Sequence, residues 1–188
     1  MPYPAQTDRT AIVQTARELI EREGIEQLAL GRLASELHIK APSLYRHVAS
    51  KDALIQAIVT ETFQDLFSAY AAALQAASGE PIEQLHAIFR AHRAFAQANP
   101  AAYMLAFTTT APAQRADERA LEQLAVPIQG LISAISGETR SLAALRGALA
   151  LTHGFAMLEI NEQLRRGGDL DAAFEQSVAA YLAGWQQR

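Results

Sequence analysis

Apolar residues recur at three- and four-residue intervals along nearly the whole chain, the period of a helix with one buried face. Sustained two-residue alternation is absent and β-branched residues are sparse, so no strand is predicted. Ile12, Ala16, Leu19 and Ile20 share one face of a first helix from Thr7 or Asp8 to Glu23, which Gly24 stops. A short helix over Gly31–Leu37 and a turn over His38–Ala41 follow. Pro42 then opens another short helix ending near Val48, where the missing N–H would have no partner anyway. Ser50 reads as the N-cap of a long helix reaching Ala77, with Asp52 well placed in its first turn.

Beyond Ser78-Gly79 the same period continues. Helices are predicted from Pro81 to Ala98, over Ala101–Phe107 after the Asn99-Pro100 break, and from Asp117 to Ile135 with a bend near Pro127. Thr108 to Ala116 reads as a loop. After Ser136-Gly137 comes a long helix over Ser141–Arg166, stopped by Gly167-Gly168, and a last helix capped by Asp169 that reaches Gln186. The prediction is all-α with about nine helices. An N-terminal three-helix domain over residues 1–50, with residues 1–6 as a flexible arm, precedes a larger helical domain over residues 51–188.

Leu33, Leu37, Ile39, Leu44 and Val48 are spaced as the buried positions of two short helices crossing steeply, with small Ala34 where they approach. That is a helix-turn-helix pattern. The net charge of −4 speaks against a nucleic-acid partner until it is located. Residues 31–51 carry Arg32, Lys40, Arg46 and Lys51 against Glu36 alone, and the entire excess of acid lies beyond residue 55. A short basic element on an acidic body is the distribution expected of a DNA reader. The candidate DNA contacts are Arg32, Lys40, Ala41, Ser43, Tyr45, Arg46, His47 and Lys51. Ser43, Arg46 and His47 suit base edges, and Tyr45 suits a phosphate oxygen. Lys51 opposes the dipole of its own helix, which makes sense if an anion binds there too.

Residues 8–56 resemble the DNA-binding domain of the TetR family of bacterial transcriptional repressors. The resemblance lies in Gly24-Ile25, Leu33-Ala34, Leu44-Tyr45-Arg46-His47-Val48 and Ser50-Lys51-Asp52-Ala53-Leu54. It implies that Tyr45 and Lys51 touch DNA phosphates and that Ser43 and His47 lie in the recognition helix. His38 stands where glycine is common, Ala29 where a Ser or Thr usually caps, and Val48 where phenylalanine is common. Phe95-Ala96, Asn99-Pro100, Tyr103, Phe107, His153-Gly154 and Leu158-Glu159 are similar to the ligand-binding domain of relatives named for a Trp-His-Gly motif, with Thr152 in place of the tryptophan. That similarity implies a regulatory, dimeric domain.

The residues of this half also carry a reading of their own. The helix over Ser141–Arg166 is apolar on two sides, and the last helix pairs an apolar stripe with a ridge of small residues. Together they read as a four-helix dimer interface formed by Leu145, Leu149, Thr152, Ala156, Ala173, Ser177, Ala180, Tyr181 and Gly184. The competing reading is a monomeric core. Candidate ligand contacts are Phe63, Phe67, Tyr70, His86, Phe89, Arg90, Arg93, Tyr103, Met104, Phe107, His153 and Met157, although aromatics at helical spacing also serve as plain core. A pocket with one or two arginines admits a hydrophobic acid, a multi-ring drug or an acyl-type metabolite.

No nucleophile with a base, carboxylate pair or phosphate-cradling loop is present, so no enzyme is predicted. No cofactor is expected. Cysteine is absent, and no His/Asp/Glu set has metal spacing, so no metal site is expected. No apolar run reaches the ~18 residues of a membrane span and no signal pattern opens the chain. The expectation is a cytoplasmic, ligand-responsive regulator, a homodimer whose partners are a palindromic double-stranded DNA operator and a small-molecule effector that releases it.

Overall fold

The computed structural model describes residues 8–77 and 79–186. The expected arm over residues 1–6 lies outside them. The described residues form nine α-helices and no strand. These are α1 (Arg9–Glu23), α2 (Leu30–Glu36), α3 (Ala41–Leu44), α4 (Lys51–Ala76), α5 (Pro81–Ala98), α6 (Pro100–Thr108), α7 (Glu118–Ser136), α8 (Glu138–Ile160) and α9 (Leu170–Trp185). Single 3₁₀ turns, not foreseen, lie at Ile25–Gln27 and Pro112–Gln114.

Most boundaries follow from local chemistry. The Asp8 carboxylate accepts from the Ala11 amide at 2.8 Å and starts α1. The Ser50 hydroxyl accepts from the Ala53 amide at 3.1 Å and starts α4. Asp169 accepts from the Asp171 and Ala172 amides and starts α9. Ala29 leaves α2 without a side-chain cap. α3 is shorter than predicted, and hydrogen-bonded turns carry the chain from Tyr45 to Val48.

α8 ends at Ile160, six residues before the predicted stop. Glu162 adopts φ +53°, its amide donates to the Glu159 carbonyl at 3.0 Å, and the Gln163 amide reaches the Leu158 carbonyl at 2.8 Å. This is a Schellman termination with glutamate in the position that usually selects glycine. α2 ends the same way around His38, at φ +54°. α8 also qualifies by length and composition as a membrane span, with mean hydropathy 1.3 over 18 residues. Reading by uninterrupted runs missed it because Arg146, Thr152 and His153 break the run without offsetting the average. One face of this helix, Ser141, Ala144, Ala148, Thr152 and Ala156, is buried inside the chain.

The helices gather into two compact units. The first runs to Gln64 and takes in Asn99–Asp117, so α6 packs beside α1 although it lies late in sequence. Glu21 of α1 explains part of this. Its carboxylate accepts from the Ala101 and Ala102 amides at 3.0 and 2.8 Å, capping a helix whose own Asn99 supplies no side-chain cap. Ile12, Leu19, Leu33, Leu44, Leu54 and Tyr103 lie in the core of this unit. The second unit comprises Asp65–Ala98 and the chain from Glu118 onward. In it α5, α7, α8 and α9 pack around Leu85, Phe89, Ile132, Phe174, Val178 and Leu182.

Candidate nucleic-acid interface and effector cavity

In the first unit Leu33, Ala34, Leu44 and Val48 are buried, while Leu37 and Ile39 are half-buried. That packing turns the intervening polar positions outward. Lys40, Tyr45, Arg46, His47 and Lys51 are exposed, and Ala41 and Ser43 are half-buried. Tyr45 is 54% exposed, the most open aromatic among the described residues of this unit. Among the described residues Lys40, Arg46 and Lys51 face no carboxylate; Arg46 only approaches the Ser43 hydroxyl, at 3.5 Å. Arg32 differs. It is paired with Glu23 at 2.5 Å, and Arg22 bridges Glu23 and Glu36 beside it. Its charge is therefore partly spent within the protein.

The second unit contains a cavity of about 170 Å³. Phe67 and Tyr70 of α4, Phe89 and His92 of α5, Ile128 of α7 and Thr152 of α8 are among its walls. The Tyr70 hydroxyl lies 2.5 Å from His92 Nδ1, with the two rings stacked. Burial drives the His92 pKa down to about 3, with a further lowering from His153, so the imidazole is neutral. A neutral imidazole carries one N–H and one acceptor nitrogen, so this short contact pairs the phenol with the ring whichever of the two donates. The Thr152 hydroxyl donates to the Ala148 carbonyl at 2.5 Å and presents acceptor lone pairs. Among the described residues, no side chain lining this cavity is charged.

Of the twelve residues expected to meet ligand, Phe67, Tyr70 and Phe89 line the cavity. Neither arginine lines this cavity, and both form ion pairs; Arg90 lines a wide open groove with His86. Arg93 is nearly buried and forks onto Glu159 at 2.8 and 2.6 Å, reaches Asp171 at 2.8 Å and lies over the Phe155 and Phe174 rings. These partners raise the Arg93 pKa further and hold the Glu159 carboxyl below its ordinary range. Arg90 forks onto Glu175, both bonds at 2.7 Å. His86 faces that groove rather than the cavity, and its buried Nδ1 has no hydrogen-bond partner. Phe63, Tyr103, Met104 and Phe107 belong to the first unit, where Phe107 meets Phe63 edge-on and Tyr103 at 4.6 Å. His153 and Met157 are half-buried on α8 and are not lining residues, and burial lowers the His153 pKa.

Leu85, Ile88, His92, Ala125, Ile128 and Ile132 line the cavity but were not singled out, because nothing in their spacing separates cavity wall from solid core.

The residues of the expected dimer face differ in exposure. Thr152 and Ala156 are buried inside the chain and offer no surface. Leu145 is half-buried on the cavity wall. Tyr181 is half-buried with its hydroxyl on the Ala144 carbonyl, and Ser177 is half-buried. Leu149, Ala173, Ala180 and Gly184 are exposed, and the exposed leucines of α8 also include Leu142 and Leu158.

Comparison with known proteins gives these features a family. Residues 12–58 match the bacterial regulatory proteins of the tetR family, and residues 85–181 match the tetracyclin repressor-like C-terminal domain. The chain belongs to the TetR family. It is 31% identical to the uncharacterized HTH-type transcriptional regulator Rv0681 of Mycobacterium tuberculosis, over 98% of this chain and 84% of that protein. YobS of Bacillus subtilis, another uncharacterized HTH-type regulator, is 25% identical over 92% of this chain and 90% of its own length. A protein of unknown function from Rhodococcus sp. RHA1 shares the fold over both whole chains, with TM-score 0.85 and 21% identity. A TetR variant from Acinetobacter baumannii AYE, in complex with minocycline, shares it with TM-score 0.69 and 19% identity, over 95% of this chain and 96% of that one. This TetR-family chain is thus a DNA-binding transcriptional regulator, and its family and the relatives Rv0681 and YobS are regulators rather than enzymes.

Proposed function

We propose that this TetR-family protein is an effector-responsive repressor that binds a palindromic operator in the cytoplasm as a homodimer. The observation that carries the reading is the group of open cations Lys40, Arg46 and Lys51 around exposed Tyr45, on a helix-turn-helix. In this reading Ser43, Arg46 and His47 meet base edges and Ala41 approaches a thymine methyl. Lys40, Tyr45 and Lys51 hold phosphates, and Arg32 joins them by loosening its pair with Glu23. The domain over residues 1–50 does the reading and residues 51–188 sense and dimerise. Exposed Leu142, Leu149 and Leu158 with Ala173, Ala180 and Gly184 support a two-fold contact through α8 and α9. Such a dimer would present two recognition helices about 34–36 Å apart.

The cavity supports the sensing half of the reading. Phe67 and Tyr70 belong to the same continuous helix whose first turn carries Lys51. A ligand that shifts α4 would therefore shift the reader and release the operator. A mobility-shift assay on the DNA flanking the protein's own gene tests this: a specific band at low salt, dispersed by effector, is expected. Folded protein that gives no specific band would sink the reading.

A further inference from the structure

We infer that the effector is a small, neutral, single-ring molecule carrying one hydrogen-bond donor, of the chemical class of a substituted phenol, and is neither a carboxylic acid nor a polycyclic compound. The inference rests on the proposed sensing role and assigns its ligand class.

Size is the first constraint. The cavity measures about 170 Å³. An apolar protein cavity of about 150 Å³ takes a benzene-sized guest, whereas drug-sized ligands occupy roughly 300–1,000 Å³. One ring with a small substituent fills the space, and fused rings exceed it. Shape agrees, because Phe67 and Phe89 supply flat aromatic walls and Leu85, Ile88 and Ile132 supply aliphatic ones.

Charge is the second constraint. Arg90 and Arg93, the cations on the helix that supplies Phe89 and His92, are forked onto Glu175 and Glu159. His92 is buried beside Tyr70 and is neutral, so among the described lining residues no charged side chain compensates a carboxylate. Moving an ionised acid there unpaired would cost several kcal/mol.

Polarity is the third. Thr152 Oγ1 already uses its proton on the Ala148 carbonyl, so it meets the cavity as an acceptor, while the Tyr70 hydroxyl is held on His92. A ligand hydroxyl is the group that fits Thr152.

Isothermal titration of the full-length protein at pH 7 with p-cresol, toluene, 4-methylbenzoate and 9-hydroxyphenanthrene tests this. Saturable binding of p-cresol at one per chain is expected. Toluene should bind several-fold more weakly, 4-methylbenzoate more than about 100-fold more weakly, and the three-ring phenol not measurably. Thr152→Val should weaken p-cresol about three- to tenfold while leaving toluene unchanged. Equal binding of 4-methylbenzoate, tight binding of the three-ring phenol, or no binding by any probe overturns the ligand class, and the wild-type panel decides this even if a variant fails to fold. A p-cresol affinity in Thr152→Val equal to that of the wild type overturns the polar anchor. Adding p-cresol to the operator complex separates the two proposals: binding without release leaves the ligand class standing and overturns the repressor mechanism.

Discussion

His92 shows what burial does to one titratable side chain. Its imidazole is neutral in the folded protein down to about pH 3, whereas in the unfolded chain it takes a proton below about pH 6.5. The unfolded state therefore binds more protons across that window, and stability is lost as pH falls through it, by up to about 1.4 kcal/mol per pH unit. Burial lowers the His153 pKa too, so it contributes with the same sign. Melting temperature measured from pH 7 to 4 should fall, and His92→Gln, which keeps a polar group facing Tyr70, should flatten the slope. Glu159 acts at lower pH. Its carboxyl is held below the ordinary range by Arg93, so its contribution is present above about pH 4.3 and is lost as pH falls through the folded value. Arg93→Met should cost about 3 kcal/mol by denaturant titration, because it leaves a half-buried carboxylate without its partner. The sequence offered Arg90 and Arg93 as candidate ligand contacts. Their ion-pair partners, Glu175 and Glu159, lie 85 and 66 residues away, and no local pattern announces such pairs.

At the scale of elements, helix starts were legible and helix ends less so. Asp8, Ser50 and Asp169 are caps because their side chains reach amides two or three residues ahead, a purely local bond. The ends at His38 and Glu162 use a left-handed residue that is not glycine. The His38 turn could be placed because helix-turn-helix packing demands it there, whereas the α8 stop was placed at Gly167. Both positions carry strain of roughly 1–2 kcal/mol. His38→Gly and Glu162→Gly should each raise stability by about 0.5–1 kcal/mol, since relief of strain exceeds the added freedom of the unfolded chain. No gain in thermal melts would contradict this account. The cap of α6 is a tertiary one, supplied by Glu21. Glu21→Ala should cost about 1 kcal/mol and raise amide exchange at Ala101 and Ala102 before the rest of α6.

For the whole molecule the informative quantity is where the charge lies. A net −4 coexists with a reader segment that is basic and, apart from Arg32, unpaired. Lys51→Ala should weaken binding to all DNA sequences alike and lower the slope of log affinity against log salt by about one unit, measured by fluorescence anisotropy. The proposed two-fold contact has its own check. Leu149→Arg places a charge on the exposed α8 face, and ultracentrifugation should show a shift from dimer toward monomer.

The sequence alone determined the helical class, the helix-turn-helix and the outward group around Tyr45. These depend on 3.6-residue periodicity, side-chain caps and a segment of about twenty residues, all interactions between near neighbours in the chain. Only the tertiary structure decided which polar groups are already engaged and which apolar faces enclose space. It assigned Arg90 and Arg93 to ion pairs, joined Tyr70 to His92, turned Thr152 and Ala156 inward and brought α6 beside α1. Each of those outcomes is a competition among partners distant in sequence, and three-dimensional packing, not spacing, chooses the winner.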